Sequence, residues 1–282
     1  MAKSLLETIS EPPVIHSVHR AWLNYVSVII FEFIDALHKL GAFFLITLGV
    51  TLTKFNTARQ VVHPQIKQQI YRTGVRLLPM ITFVACGLGV VVIGQTISLL
   101  SRFGAQTYLG TVMATVVVRE LGPIISALLV MARVGTANVI ELGTARAMGE
   151  VEALEALGID PIHYLVMPRV IGMALSIFAL TVYLILFALI SGYAFAFIQE
   201  VPLPPARYFN QLAGALVWED FVLLAFKTLA FGALIAVVTC YEGLARPLRL
   251  EDVSGATTMA VAKCIVAIVI LDAFFISTYL LF

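Results

Sequence analysis

The chain has 282 residues, of which 60% are hydrophobic and 12% charged, with a formal net charge of +1. An ordinary soluble domain carries about 25% charged residues, so this balance excludes a solvated globular enzyme and equally excludes a disordered segment. No Lys/Arg-rich block of the kind that tracks phosphates is present, which argues against a nucleic-acid partner.

The first residues, Met1 to Pro13, are polar and contain Glu7, Glu11 and two prolines. They lack the basic-then-apolar order of a cleaved signal peptide, so the first strong apolar segment is expected in the mature protein. Val14, Val18, Trp22 and Tyr25 then recur near helical spacing, with His16, His19, Arg20 and Asn24 on other faces. That pattern suits an amphipathic helix lying in a membrane interface. Val26 to Leu52 is apolar but interrupted by Glu32, Asp35, His38 and Lys39, with Asp35 and Lys39 spaced to pair on one helix face. An interfacial or re-entrant helix is favoured there over a sixth full crossing.

A span needs about 20 apolar residues. Five segments reach that length: Leu77 to Leu100, Tyr108 to about Ala132, Val166 to Ile198, Phe221 to Tyr241 and Thr257 to Leu281. The second and third exceed one crossing and should tilt, break or project into water. The expected fold class is therefore an all-α polytopic membrane protein with five transmembrane helices. An N-terminal helical region (1–76) precedes a membrane domain (77–282).

Basic residues in short loops set the orientation. Thr53 to Arg76 holds Lys54, Arg59, Lys67, Arg72 and Arg76 without an acidic residue, so it is assigned to the cytoplasm. Alternation then places the N-terminus inside and the C-terminus outside. The outer segment Val201-Pro202-Leu203-Pro204-Pro205 is a stiff turn, after which Tyr208 to Trp218 suits a short amphipathic surface helix.

Charges inside the spans carry the functional signal, because each costs roughly 2.5–3.5 kcal/mol at the bilayer centre on insertion scales. Arg119 and Glu120, followed by Gly122-Pro123, lie in the second apolar run, Lys227 in the fourth and Asp272 in the last. Adjacent residues on a helix point about 100° apart, so Arg119 and Glu120 need separate partners. Two uses remain open and compatible. Lys227 can pair with Glu120 or Asp272 and fix the bundle, or Arg119, Glu120 and Lys227 can line a cavity and meet a lipid's phosphate or glycerol region. Gly87 with Gly89, Gly110, Gly135 with Gly143, and Gly232 with Ala236 offer small surfaces for close helix packing. Glu242 and Lys263 sit near span ends and are expected to snorkel. Cys86, Cys240 and Cys264 read as small core residues, and the scattered histidines offer no metal-ligand spacing.

The connection Glu141 to Asp160 breaks the positive-inside pattern. It holds Glu141, Glu150, Glu152, Glu155 and Asp160 against Arg146 alone. A short helix over Ala147 to Leu157 is predicted, with Val151, Leu154 and Leu157 forming an apolar ridge, Gly158 stopping it and Pro161 preventing continuation. The ridge is too short to anchor in lipid, so a docking helix for a cytoplasmic partner is favoured over a solvated connection. Its contact set would be Glu150, Val151, Glu152, Leu154, Glu155, Leu157, Asp160 and Pro161.

Arg119-Glu120-Leu121-Gly122-Pro123, Ala132-Arg133-Val134-Gly135, Glu141-Leu142-Gly143-Thr144, Glu155 to Pro161 and Pro168-Arg169 together resemble the MlaE-type (YrbE-type) permease family. These are membrane subunits of ABC phospholipid transporters that work with MCE proteins. The resemblance runs from about Lys67 to the C-terminus and is most specific from Glu120 to Arg169. It implies a homodimer of five-span permeases in a bacterial inner membrane, a lipid cavity at the dimer centre, and a coupling helix seated in a cytoplasmic ABC ATPase. It further implies phospholipid as substrate, a periplasmic MCE-domain partner continuing the lipid path, and room for a small regulatory subunit. The chain has no Gly-x-x-x-x-Gly-Lys-Ser/Thr loop, so ATP is expected on the partner and no cofactor on this chain. The rival from another class is an ion- or proton-coupled carrier that uses Glu120, Lys227 and Asp272 as a relay; the inverted repeats expected in many such folds are not evident.

Overall fold

A computed structural model describes residues 38–51, 53, 59–105, 108–199, 204–244 and 249–281. The expected interfacial helix around Val14 to Tyr25, and the Asp35 partner of Lys39, lie outside the described residues. Compact packing divides the chain between Ile46 and Thr47. In the described part of the first unit, residues 38–46 are helical and open the apolar helix α1 (His38–Thr51).

Among the described residues of the second unit there are helices and no strands. Five are long and apolar enough to cross a membrane: α2 (Val62–Arg102), α3 (Leu109–Ala147), α5 (Ile162–Ile198), α7 (Trp218–Leu244) and α8 (Leu250–Tyr279). Two short helices, α4 (Glu150–Ala156) and α6 (Pro205–Ala215), sit in the connections at opposite ends of the bundle. This is an all-α, five-span membrane protein.

The first three spans outrun a single crossing. The 41 residues of α2 extend about 60 Å at about 1.5 Å per residue, roughly twice the ~30 Å hydrocarbon thickness. The basic segment expected as a loop is helical from Arg59 onward, and α2 continues through Arg76 into the apolar run. The excess of α2, α3 and α5 projects at the end of the bundle that carries α4. Wider π-helical turns interrupt these helices at Gly89–Gly94, Ala114–Leu121, Met131–Gly135 and Ile162–Val166. Such turns rotate the side chains that follow, and they occur frequently at functional positions.

Helix α5 forms the centre, packed against α2, α3 and α7, while α7 also meets α3 and α8. Close backbone approach makes this possible. A Cβ on Gly89 would collide with the Ala188 carbonyl and Gly192 amide of α5, and one on Gly232 of α7 would strike the Ala174 backbone. Gly87 differs from expectation, because nothing approaches its face within 4 Å. Cys240 and Cys264 are buried core residues and Cys86 is half-buried. Glu242 and Lys263 do not snorkel separately: Nζ meets Oε1 at 2.7 Å, tying the end of α7 to the start of α8.

The α3–α4–α5 turn is written by two left-handed glycines. Gly149 (φ 77°) ends α3 and opens α4, so the helix expected from Ala147 begins at Glu150, and Ala147 closes α3. Gly158 (φ 74°) ends α4 with paired bonds from the Gly158 amide to the Glu155 carbonyl (3.0 Å) and from the Ile159 amide to the Leu154 carbonyl (2.9 Å). The Ile162 amide then donates to Asp160 Oδ1 at 3.0 Å, an Asx turn that starts α5. At the other end, the surface helix is Pro205–Ala215 with Tyr208 and Leu212 turned inward, and Trp218 belongs to α7.

Candidate functional site

Two layers of charge cross α3, α7 and α8. Arg119 and Glu120 leave the π-helical turn of α3 in different directions and find separate partners, as their adjacency requires. In the deeper layer Lys227 Nζ lies 2.8 Å from Glu120 Oε2 and 2.7 Å from Asp272 Oδ1, and donates at 3.0 Å to the Arg119 carbonyl. Two of its three N–H donors make hydrogen bonds, to Glu120 and to the Arg119 carbonyl, and the Asp272 contact is an ion pair. Lys227 is 2% exposed and Asp272 8%, so this is a desolvated interhelical lock. Lys227 pairs with both carboxylates at once.

The second layer lies one heptad away. Asp220 precedes Lys227 by seven residues on α7, and Tyr279 follows Asp272 by seven on α8, so each pair shares a helix face about 10 Å apart. Arg119 Nε approaches Asp220 Oδ1 at 2.9 Å while Nη2 donates to Oδ2 at 3.1 Å. The Tyr279 hydroxyl donates to Asp220 Oδ1 at 3.2 Å, and its ring lies under the Arg119 guanidinium at 4.9 Å. Asp220 and Tyr279 were missed in the sequence because Asp220 reads as a loop residue. The i, i+7 spacing to Lys227 and Asp272 is the signal that finds them.

This outer layer walls a cavity of about 900 Å³ lined mainly by apolar side chains, including Val222, Leu223, Phe226, Ala230 and Phe275. Arg119, Asp220 and Glu219 supply its charged edge. Glu120, Lys227 and Asp272 do not line it. The geometry thus splits the four expected intramembrane charges: Arg119 faces the cavity, and the other three stabilise the wall behind it.

The α4 segment stands at the opposite end. Val151 is buried against the bundle, Leu154 is half-buried and Leu157 is exposed, so the expected ridge is divided between inward and outward faces. Glu150, Glu152 and Glu155 are exposed, and Glu152 meets Arg146 at 3.2 Å. Asp160 and Pro161 shape the entry to α5. Of the expected docking set, Glu150, Glu155 and Leu157 are exposed, the two carboxylates without an ion pair among the described residues. Near them Glu141 of α3 holds Arg72 of α2 and Arg169 of α5, a junction the sequence reading did not assemble.

Residues 66–278, which contain every charged residue of the two layers and the α4 turn, match the family described as Permease MlaE. The protein is a permease subunit of an ABC transporter, a non-catalytic membrane component. It belongs to the MlaE permease family. A probable ABC transporter permease of Rickettsia typhi is 31% identical over 217 residues, covering 77% of this chain and 83% of that protein. The chloroplastic protein TRIGALACTOSYLDIACYLGLYCEROL 1 of Arabidopsis thaliana is 31% identical over 210 residues, 73% of this chain and 58% of that one. The intermembrane phospholipid transport system permease protein MlaE of Haemophilus influenzae is 25% identical over 261 residues, 92% and 98% of the two chains. Membership of an ABC permease family displaces the ion-coupled carrier reading.

Proposed function

We propose that this permease moves glycerophospholipid between the bacterial inner membrane and periplasmic MCE-domain partners, driven by a separate cytoplasmic ATPase. The observation that carries the reading is the cavity beside Arg119. It pairs an apolar wall of acyl-chain character with a charged rim of Arg119, Asp220 and Glu219, the combination that suits an amphiphile with a polar head. The similarity to a permease named for intermembrane phospholipid transport supports the same substrate. Two copies would bring their cavities together at a homodimer centre, with room in the assembly for a small regulatory subunit.

The basic residues of α2, Lys67, Arg72 and Arg76, support an orientation with the α4 end in the cytoplasm and the C-terminus in the periplasm. ATPase closure would then press on Glu150, Glu155 and Leu157 and pass through α3 and α5 to the charge layers. Lipid retention tests the cavity. Ala230→Trp fills it without touching an ion pair, and native mass spectrometry of the purified protein should show clearly less co-purified phospholipid than wild type. Equal retention by a folded variant would contradict the assignment.

A further inference from the structure

At the α4 end of the bundle, far from the Arg119 cavity, a second cavity of about 270 Å³ opens between the starts of α2 and α5. Gln65, Gln68, Gln69 and Arg72 line it from α2, and Tyr164 and Arg169 line it from α5. Glu141 of α3 stands behind the two arginines: Arg72 Nη1 donates to Oε2 at 2.9 Å, Arg72 Nη2 also reaches Oε1, and Arg169 Nη2 comes within 3.4 Å of Oε2. Two guanidiniums against one carboxylate leave a formal charge of +1 at this wall.

The donors outnumber their acceptors. A guanidinium carries five N–H groups. Arg72 uses two nitrogens on Glu141, while Arg169 uses one on the Leu165 carbonyl (2.7 Å) and one on Glu141. The Arg169 Nε is buried and has no hydrogen-bond partner among the described residues. Gln65, Gln68 and the Tyr164 phenol add neutral donors around the same space, and no carboxylate among the described residues lines it. Glu141 meanwhile holds both guanidinium planes in place, which is the preorganisation a tetrahedral oxyanion requires.

We propose that this pocket is a phosphate-binding site on the α4 face of the permease, separate from the transport cavity, with Arg72 and Arg169 as its charged donors and Gln65, Gln68 and Tyr164 as its neutral ones. The phosphate is either that of a phospholipid headgroup in the adjoining leaflet or a free ion. Because the pocket bridges α2 and α5 directly after the α4 turn, its occupancy ties together the helices that leave the coupling segment. The site needs neither the lipid-transport reading nor the Arg119 cavity to be correct.

The test uses the full-length chain in detergent, titrated with sodium phosphate, with short-chain phosphatidylglycerol micelles and with uncharged diacylglycerol, on wild type and Gln68→Glu. Gln68 is an exposed residue of α2, so the variant sets a carboxylate at the pocket while leaving the Arg72–Glu141–Arg169 junction intact. An unchanged melting temperature verifies folding, and Tyr164→Phe, which removes one neutral donor, serves as a second variant. Gln68→Glu should weaken the phosphate-bearing probe by about tenfold or more, the scale of a lost charge-assisted contact, while diacylglycerol binding stays unchanged. Phosphate that binds alone and competes with phosphatidylglycerol identifies the free ion; phosphatidylglycerol binding without phosphate binding identifies the headgroup. Equal affinity of wild type and both variants for every probe overturns the proposal. So does loss of a protein partner from Gln68→Glu with phosphate binding unchanged, which would reassign the pocket to a partner's carboxylate.

Discussion

Lys227 is the residue on which the membrane interior depends most. Its ammonium neutralises Glu120 and Asp272 together, so removing it leaves two carboxylates facing each other, Asp272 buried and Glu120 half-buried. Lys227→Met should destabilise the protein by about 3–5 kcal/mol, as breaking a buried pair does. Adding Glu120→Gln and Asp272→Asn should recover much of that loss in detergent melting experiments, because neutral amides carry no Born penalty. A triple variant no more stable than the single one would show that the lock is not electrostatic. Tyr208 gives a second prediction at this scale. Burial pushes its phenol above the usual tyrosine range, and its hydroxyl donates to the Leu189 carbonyl at 3.3 Å. The folded state favours the neutral phenol, so stability is fully present below the unfolded tyrosine value of about 10 and falls as pH rises beyond it. Tyr208→Phe should cost about 1 kcal/mol at neutral pH and flatten that alkaline decline, both read from melting curves.

Among the elements, the contact between α5 and α7 is the tightest constraint. Gly232→Leu must separate the two backbones and should cost about 1–3 kcal/mol or more, whereas Gly87→Leu faces open space and should leave the melting temperature nearly unchanged. Similar losses for both would mean that small residues do not set helix spacing here. The helices themselves were legible in the sequence, since long apolar runs force helical hydrogen bonding in lipid. Their ends were less so. Apolarity stops at the bilayer surface, but hydrogen bonding does not, and α2 and α3 therefore run on through Arg76 and Glu141. The start of α4 was displaced because Gly149 takes a left-handed conformation that composition does not mark. The four intramembrane charges stood out as residues, yet their roles required geometry: Asp220 and Tyr279 draw Arg119 one heptad away from Lys227. Glu141 with Arg72 and Arg169 was hidden because its members come from three helices far apart in sequence.

For the molecule as a whole, the two ends of the bundle divide the work. Charge layers and the large cavity occupy the α6 half, and the exposed carboxylates of α4 occupy the other, with α3 and α5 running between them. Force applied at Glu150 and Glu155 can pass through the short Gly149 turn and along α3 to Arg119. Glu155→Lys should therefore abolish ATPase recovery with the membrane fraction while the permease still inserts, and unchanged recovery would remove α4 from the docking surface. The most direct measurement is mass spectrometry of the gently solubilised native complex. The account predicts two copies of this chain together with an ATPase, an MCE-domain protein and bound phospholipid. A solitary, lipid-free chain with no nucleotide-hydrolysing companion would contradict it.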